Sequence, residues 1–270
     1  MKISVVIPTF NRANFLKQTI CSILKQSVQV DEIIVIDDGS TDNTELICNS
    51  IKHIKYIYQD NRGVSSARNH GIRISSNNWI AFCDSDDIWH KDKIKKQILF
   101  HKNNPNILIS HADETWIFNQ KIIKKKRYQL KPHGYCFEEN ISYCKIGTST
   151  IMINKSIFDD IGLFDENLTA CEDYDLWLRI LQKYELGLCE EELITKIAGH
   201  KGQLSFETSL MDRYRIQALL KHKNSKHQIK IKKELIKKLN IIIKGAKKHN
   251  NSRIQKKYEI ELENIKTTWH

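Results

Sequence analysis

Four short apolar segments alternate with helical segments before residue 90, and this alternation restricts the possible fold more than any other feature of the chain. The apolar segments, which are typical of buried strands, are residues 3–7, 32–36, 54–58 and 79–83. The first of them is predicted to end at Pro8. Helices are predicted between the strands at residues 14–26, 43–50 and 65–75. Short connections between strands and helices indicate βαβ units, and therefore a parallel sheet with right-handed crossovers.

The fourth apolar segment is followed at once by Asp84, Asp86 and Asp87, which are three carboxylates within four residues. Like charges at this spacing repel one another, and aspartate is a poor strand former. Such a cluster is tolerated if a cation lies among the oxygens or if the carboxylates face water. Mg²⁺ and Mn²⁺ prefer carboxylate oxygens, usually one or two from the protein with phosphates in other positions. The cluster alone leaves two interpretations open, a divalent-metal site and a solvated turn with a helix cap.

Polar, acidic and glycine residues follow each predicted strand near its carboxyl end. These loops are residues 9–12, 37–40, 61–63 and 84–87. Parallel strands bring their carboxyl ends to one edge of the sheet, where open α/β sheets bind their ligands. We therefore expect the four loops to meet at one crevice.

The regular alternation stops after a helix predicted at residues 91–103. The elements predicted beyond it are extended segments at 107–118 and 121–130, joined at Asn119 and Gln120, a strand at 147–153, and helices at 155–162 and 172–183. The second half should therefore add mixed or antiparallel strands to the sheet. Two or three amphipathic helices should complete the chain, and they could pair as a hairpin packed on the domain.

Charge is distributed unevenly along the 270 residues, whose net charge is +11. The segment 221–257 contains 14 Lys and Arg residues against one acid, Glu234, so it carries +13 and leaves −2 for the remainder. This distribution argues against a nucleic-acid enzyme, whose catalytic cleft would itself be basic. It favours a tail that contacts an anionic membrane surface, or simply a solvated face over an apolar stripe. We divide the chain into a main domain, residues 1–205, and a C-terminal helical appendage, residues 206–270.

Other features limit the class of protein. The seven cysteines include no C-x-x-C pair, so neither a disulfide framework nor a zinc site is predicted. We expect a cytoplasmic globular protein, because no signal peptide and no apolar run of membrane-spanning length is recognisable. No G-x-G-x-x-G follows the first strand and no G-x-x-x-x-G-K-[ST] occurs, which disfavours a dinucleotide-dependent dehydrogenase and a P-loop enzyme.

Three polar residues near the predicted crevice have both a functional and a structural interpretation. Asp37 and Asp38 can accept hydrogen bonds from a ribose or a base, or they can cap the next helix together with Asp42. Arg68 can pair with a phosphate or with an aspartate of the crevice, or it can be a solvated helix residue.

Two positions in the second half are equally open. Glu172 and Asp173 begin a helix, where the dipole favours acids, but a carboxylate there can also act as a general base. His200 lies in a loop between Gly199 and Gly202, either as a metal ligand or as an ordinary loop histidine.

Several of these segments, taken in order, resemble family 2 glycosyltransferases of the GT-A fold. The matching motifs are V-V-I-P-T-F-N-R at 5–12, I-D-D-G-S-T-D at 36–42, N-R-G at 61–63, A-R-N at 67–69, D-S-D-D at 84–87 and E-D-Y-D-L-W-L-R at 172–179. The resemblance covers about residues 1–205 and not the C-terminal helices. It implies an α/β class fold, a single GT-A domain with a Rossmann-like mixed sheet flanked by helices, followed by the basic helical appendage.

The resemblance also implies roles for individual residues. The residues expected to bind the donor nucleotide are Pro8, Thr9, Asn11, Arg12, Asp37, Asp38, Arg68 and Asp84. Asp86 of the D-x-D motif, together with His200 from a looser motif, is expected to bind a divalent metal, Mn²⁺ or Mg²⁺. Asp173 resembles the catalytic base, whereas Asp87 is expected only to cap the turn before the next helix.

The implied reaction is a single displacement with inversion. A sugar passes from a UDP- or dTDP-type nucleotide sugar to a hydroxyl of a glycan or lipid-linked acceptor, in bacterial surface polysaccharide synthesis at the inner face of the membrane. Two alternatives remain open, a polyprenyl-phosphate glycosyltransferase, whose nucleophile is already an anion, and a non-catalytic nucleotide-sugar binding module. A sugar nucleotidyltransferase is disfavoured because the first strand is not followed by a glycine-rich signature.

Overall fold

The computed structural model describes residues 1–124, 129–199 and 210–268. The first part contains β1 (Ile3–Thr9), α1 (Ala13–Leu24), β2 (Glu32–Asp37), α2 (Thr44–Asn49), β3 (Lys55–Tyr58), α3 (Val64–Ile74), β4 (Trp79–Phe82) and β5 (Asp87–Trp89). The middle part contains α4 (Lys93–Asn103), β6 (Ile109–Phe118), β7 (Lys121–Ile123), α5 (Phe137–Asn140), a 3₁₀ turn (Thr148–Thr150), β8 (Met152–Asn154) and α6 (Ser156–Ile161). The last part contains α7 (Glu172–Leu181), β9 (Leu186–Ala198), α8 (Met211–Leu220), α9 (Gln228–Lys248) and α10 (Ser252–Thr268).

The strands form one mixed sheet in the order β3-β2-β1-β4-β8-β6-β9-β5, with β7 paired to β6. Strands β1 to β4 are mutually parallel, which confirms the predicted βαβ units. Strand β8 is antiparallel to β4 and β6, and β5 is antiparallel to β9, whereas β6 and β9 are parallel. The prediction of a mixed second half is therefore confirmed, and the loops after β1 to β4 leave the sheet at one edge.

Strand β1 continues through Pro8 to Thr9, so the predicted end at Pro8 is wrong. The carbonyl of Val6 accepts a hydrogen bond from Cys83 beyond β4, whereas the carbonyl of Thr9 accepts one from Asp38 beyond β2. The backbone groups of alternate residues face opposite neighbours, so Pro8 faces the β4 side. Pairing with β4 ends at Val6. Because the ladder on that side has already ended, the absence of an N–H at Pro8 costs no hydrogen bond between strands.

One other local prediction is corrected and one is confirmed. The strand predicted at residues 147–153 is a 3₁₀ turn followed by β8, and Thr150 Oγ1 donates to the carbonyl of Gly147 at 2.6 Å. Threonine hydroxyls compete in this way with strand ladders. The hairpin joint at Asn119 and Gln120 is confirmed, because both residues have the left-handed φ values, 48° and 61°, of a tight turn.

Helix α8 packs on α7, α9 packs on α8, and α10 packs on α9, so the three helices extend the hydrophobic core of α7. Trp177 of α7 belongs to the same buried cluster as Leu219, Leu239 and Leu262, one from each of the three helices. Helices α9 and α10 pair as the predicted hairpin. The predicted boundary between residues 205 and 206 lies outside the described residues and stays a prediction. Among the helices that the structure describes, none combines the length and the apolar character needed to cross a membrane.

Candidate active site

The loops after β1, β2 and β4 contact one another, as predicted for a common crevice. The amide of Asn11 donates to Ser40 Oγ, and Asn11 Oδ1 accepts from the amide of Thr41, both at 2.8 Å. Asn11 has φ 51°, a left-handed value that asparagine tolerates better than most residues. Arg12 Nη1 lies 3.6 Å from Asp86 Oδ2. The loop after β1 is therefore joined to the loop after β2 and to the acidic loop, residues 84–87, after β4.

Asp38 joins the loop after β3 to the same crevice. Its carboxylate accepts hydrogen bonds from the amides of Arg62 and Gly63, at 2.9 and 2.8 Å. The two loops approach closely at Gly39, which has φ 89° and where a Cβ would lie 2.9 Å from the backbone nitrogen of Asn61. The predicted convergence of four loops is thus confirmed.

Asp37 has a structural role at the end of β2. It accepts hydrogen bonds from the amide of Ser40 and from the hydroxyl of Tyr56, each at 2.8 Å. The capping contact at the start of α2 comes from Asp42, whose Oδ1 accepts from the amide of Thr44 at 3.0 Å. Asp37 and Asp38 therefore shape the crevice edge, and their contact with a nucleotide stays a prediction.

Arg68 of α3 connects the end of β4 with the start of α7. Its Nη2 lies 2.8 Å from Asp84 Oδ1 and its Nη1 lies 2.7 Å from Glu172 Oε1, and its side chain is only 5% exposed. The guanidinium carbon lies 5.2 Å from the ring centre of Phe164. The predicted pairing of Arg68 with an aspartate of the crevice is confirmed, and the bond to Glu172 brings the first turn of α7 to the acidic loop.

The pKa values of the two carboxylates that share Arg68 are shifted in opposite directions. Burial opposes ionisation of Asp84, but the charges of Arg68 and Lys196 and its hydrogen bonds outweigh burial and lower its pKa. Burial raises the pKa of Glu172, and the neighbouring charge of Asp173 adds to this effect against the opposing charge of Arg68. Arg68 thus pairs with one carboxylate whose pKa is lowered and one whose pKa is raised.

The sequence suggested that Asp87 caps a turn, and the structure corrects this. Asp87 is the buried first residue of β5. Its Oδ2 lies 3.3 Å from Lys196 Nζ of β9. Burial raises the pKa of Asp87 to about 7, with Lys196 opposing the shift and the charges of Asp84 and Asp86 adding to it. The pKa of Lys196 is itself raised well above its ordinary value, because these carboxylates and Glu114 outweigh its burial.

The acidic loop fits a divalent ion that is shared with a ligand. Within residues 1–124, 129–199 and 210–268, no group of three or more His, Cys, Asp and Glu side chains is arranged to hold a metal. The Asp86 side chain is 17% exposed and its contact with Arg12 is long. With Asp84 it offers the one or two carboxylate oxygens that Mg²⁺ takes from a protein when phosphates complete its shell. His200 lies outside the described residues, so its role as a ligand stays a prediction.

Asp173 lies half-buried in the first turn of α7, next to Glu172. Its Oδ1 accepts a hydrogen bond from the amide of Tyr174 at 2.6 Å, and its Oδ2 lies 3.5 Å from Cys144 Sγ. Burial raises the pKa of the Cys144 thiol well above its ordinary value, and the charge of Asp173 adds to this. The single thiol proton has two acceptors within reach, the carbonyl of Ile146 at 3.3 Å and Asp173 Oδ2 at 3.5 Å.

Sequence reasoning missed three residues that support the site, namely Cys144, Ser149 and Lys196. Ser149 Oγ accepts from the amide of Asp84 at 2.9 Å, and its carbonyl accepts from Trp89 Nε1 at 3.1 Å. No motif marks Cys144 or Ser149. A signal existed for Lys196, which lies in the largely apolar segment 193–198. A lysine is rarely buried unless it is paired, so its place in such a segment indicates an acidic partner.

A family model, that of glycosyl transferase family 2, matches residues 4–161. The chain belongs to glycosyl transferase family 2. An uncharacterized glycosyltransferase of Rickettsia felis is 40% identical over 200 residues, which are 71% of this chain and 32% of that protein. The Escherichia coli UDP-Glc:alpha-D-GlcNAc-diphosphoundecaprenol beta-1,3-glucosyltransferase WfgD is 31% identical over 183 residues, which are 67% of this chain and 70% of WfgD. The chain spans about a third of the length of three rickettsial relatives that it matches.

The structure of this family 2 chain is similar to that of S. aureus TarS. The crystal structure of TarS 1-349 in complex with UDP-GlcNAc matches with a TM-score of 0.70 and 18% identity, over 89% of this chain and 72% of that chain. At this identity the likeness shows the fold alone. The predicted GT-A fold is therefore confirmed.

Proposed function

We propose that this glycosyltransferase moves a sugar, with inversion, from a UDP-type nucleotide sugar to a hydroxyl of a lipid-linked glycan. The two bonds of Arg68 carry the proposal, because one guanidinium holds both Asp84, at the crevice, and Glu172, the neighbour of Asp173. A general base has to lie within hydrogen-bond reach of the acceptor while the donor is bound. A rigid link between the acidic loop and the first turn of α7 supports that arrangement.

Asp173 is the proposed general base. It takes the proton of the acceptor hydroxyl as the oxygen forms a bond to the anomeric carbon. The bond from that carbon to the diphosphate breaks, and its electron pair leaves on the phosphate oxygen. Attack opposite the leaving group inverts the anomeric centre. The contacts of Asp173 with Tyr174 and Cys144 support the role, since they restrict the orientation of the carboxylate.

The donor nucleotide is assigned to the crevice at the carboxyl ends of β1 and β2, with Arg68 near the nucleotide and Asp84 toward its ribose or sugar. The other assigned residues lie at the ends of these strands and in the loops that follow them, and they are Pro8, Thr9, Asn11, Arg12, Asp37 and Asp38. Thr9 supports the assignment, because its Oγ1 is buried without a hydrogen-bond partner in the part of the chain that the structure describes. Buried hydroxyls usually have a partner, and a bound ligand could supply one.

Asp86, with Asp84, would hold a divalent ion, Mg²⁺ or Mn²⁺. When bound, such an ion supplies Lewis-acid stabilisation of the charge on the departing diphosphate. Arg12 and Lys196 are cations of the chain beside the same acidic loop, at 3.6 Å from Asp86 and 3.3 Å from Asp87. They would limit repulsion among the carboxylates before the donor binds.

The relatives support the choice of substrates. The name of WfgD specifies UDP-Glc as donor and GlcNAc-diphosphoundecaprenol as acceptor, and we propose donor and acceptor of these classes for this enzyme. The lysine-rich helix α9 supports peripheral contact with an anionic inner membrane face. All seven cysteines are free thiols, which agrees with a reducing compartment.

The Asp173→Asn variant tests the proposal, because it keeps the shape of the side chain and removes the base. We expect transfer to a hydroxyl acceptor to fall by about 10²–10⁴-fold. Binding of UDP in calorimetry should stay within about twofold. Asp159→Asn, at an exposed position of α6, is the matched control and should keep full activity.

Three outcomes would contradict parts of the proposal. Full activity of Asp173→Asn with a hydroxyl acceptor refutes the assignment of the base. Transfer by wild-type and Asp173→Asn proteins to polyprenyl phosphate alone supports the polyprenyl-phosphate reaction, whose nucleophile needs no base. Tight UDP binding without transfer to either acceptor supports a non-catalytic binding module.

A further inference from the structure

A half-open groove of about 460 Å³ lies where α8 meets the hairpin of α9 and α10. Its lining is largely apolar and includes Leu210, Met211, Ile241, Ala246 and Ile254. Leu210 and Ile241 are 38% and 51% exposed, although they are large apolar side chains. The volume lies within the range of about 300–1,000 Å³ that is typical of ligand pockets. Contiguous apolar surface of this kind marks binding sites more often than scattered single residues do.

Gly245 provides the space in the middle of this groove. A Cβ built on Gly245 would meet no heavy atom of the described residues within 4 Å. Glycine inside a helix is less favourable than alanine. Gly245 therefore does not stabilise α9, and its effect is to leave space in the groove. An alanine at this position would place its Cβ in open space beside the groove.

The groove approaches the segment before α7 at Met211. Met211 lines the groove, and its carbonyl oxygen lies 3.9 Å from the Sγ of Cys171, which is two residues before Asp173. The hydroxyls of Thr169 and Tyr214 form a second link, at 2.7 Å, between the loop before α7 and α8. These two contacts connect α8, which lines the groove, to the segment just before the first turn of α7.

Charged residues flank the groove, whose lining includes Arg215 paired with Asp212 at 2.9 Å. Lys237, Lys244 and Lys248 are exposed on α9 at helical spacing and follow the same side of the helix as Ile241. Arg253 is exposed on α10 next to the groove residue Ile254. An apolar surface edged with lysine and arginine suits a molecule with a hydrocarbon chain and an anionic head group.

We propose that the groove binds the isoprenoid chain of a polyprenyl-diphosphate-linked acceptor. The chain lies against Ile241, Gly245 and Ile254, the diphosphate lies beside the flanking lysine and arginine side chains, and the acceptor sugar extends toward Asp173. The inference rests on the proposed function, because it takes a lipid-linked acceptor as the substrate. It adds a site for the lipid portion, separate from the donor crevice.

Binding of soluble probes tests the inference without any transfer reaction. The probes are pyrophosphate, geranyl diphosphate and geranylgeranyl diphosphate, each below its micelle concentration, and affinity is measured by calorimetry on the full chain. We expect affinity to rise with chain length. The Gly245→Leu variant fills the groove and should weaken binding of geranylgeranyl diphosphate by about tenfold, which corresponds to losing the burial of about two methylene groups. Its binding of pyrophosphate should not change.

The matched control is Asn240→Leu, which adds a leucine to the exposed side of α9 away from the groove and should bind all probes like wild type. Gly245→Ala, a smaller change that favours the helix, should give an intermediate affinity and guards against misfolding of Gly245→Leu. Affinity that is independent of chain length, or equal effects of Gly245→Leu and Asn240→Leu, would overturn the inference. A dimer in sedimentation that Gly245→Leu dissociates would also overturn it, because a second copy would then cover the groove.

The outcome separates this inference from the proposed function. Chain-length-dependent binding that Gly245→Leu weakens supports the groove even if Asp173→Asn retains full transfer. If Asp173→Asn loses transfer and the affinity for the diphosphate probes does not depend on their chain length, the proposed reaction is supported and the lipid-binding role of the groove is refuted.

Discussion

Replacement of Arg68 by methionine should show how much the ion pairs at the centre of the site contribute to stability. Arg68→Met keeps an unbranched side chain but leaves Asp84 and Glu172 without their common cation. The Glu172 side chain is 6% exposed, whereas that of Asp84 is 26% exposed and can gain water in place of the lost bond. Breaking a buried pair by removing one partner costs about 3–5 kcal/mol, because the remaining charge stays buried. Most of this cost should come from Glu172.

The effect of Arg68→Met should depend on pH in a defined direction. Burial already raises the pKa of Glu172, and removal of Arg68 raises it further. A carboxyl group whose pKa is higher in the folded state binds more protons there, so the free energy of unfolding falls as pH rises above the unfolded pKa of about 4.3. The difference between variant and wild type should therefore be smaller at pH 5 than at pH 8.

Urea denaturation at the two pH values measures both effects. The control is Arg62→Met, which removes an arginine that is 67% exposed and 3.6 Å from Glu166, and which should cost less than about 1 kcal/mol. Adding Glu172→Gln to Arg68→Met removes the unpaired charge and should restore about 1 kcal/mol or more. The reasoning is refuted if Arg68→Met costs no more than Arg62→Met, or if its cost is larger at pH 5 than at pH 8.

Two further predictions concern residues outside the site. Lys93 is fully buried against the Trp89 ring, and burial lowers its pKa to about 7. Above that pH the folded state therefore binds fewer protons than the unfolded state. The free energy of unfolding consequently rises with pH between about 7 and 10. Lys93→Met should raise the free energy of unfolding by about 1–3 kcal/mol at pH 7 and by less at pH 9.5 in urea titrations, and an equal gain at both would contradict this. Gly71→Ala would place a Cβ 2.3 Å from a methyl of Val6, whereas Gly245→Ala meets open space. Thermal unfolding should show a loss of about 1–3 kcal/mol for Gly71→Ala and a gain of up to about 1 kcal/mol for Gly245→Ala, and equal effects would refute this.

The first half of the fold could be predicted because its information is local. Each apolar segment is short, continuous and followed by polar residues, and short connections leave the parallel arrangement as the simplest one. Given parallel strands, the loops after β1 to β4 must share one edge of the sheet. The meeting of Asn11, Asp38 and Asp86 at one crevice follows from that topology.

The second half was less predictable because its pairings are not local. Strand β5 has three residues, and it is a strand only because β9, about a hundred positions later, pairs with it. Nothing near Asp87 in the sequence indicates that Lys196 lies opposite. The 3₁₀ turn before β8 likewise depends on side-chain hydrogen bonds that compete with a strand ladder.

The sequence by itself determined which loops form the crevice, because the period of the apolar residues, the strand ends and the order of the motifs are properties of neighbouring residues. Only the tertiary structure decided which carboxylates Arg68 holds, since Asp84 is 16 positions away and Glu172 is 104 positions away. It also decided that the pKa of Asp84 is lowered while that of Glu172 is raised. Burial and the charges around a group set that difference, and both exist only once distant segments have packed together.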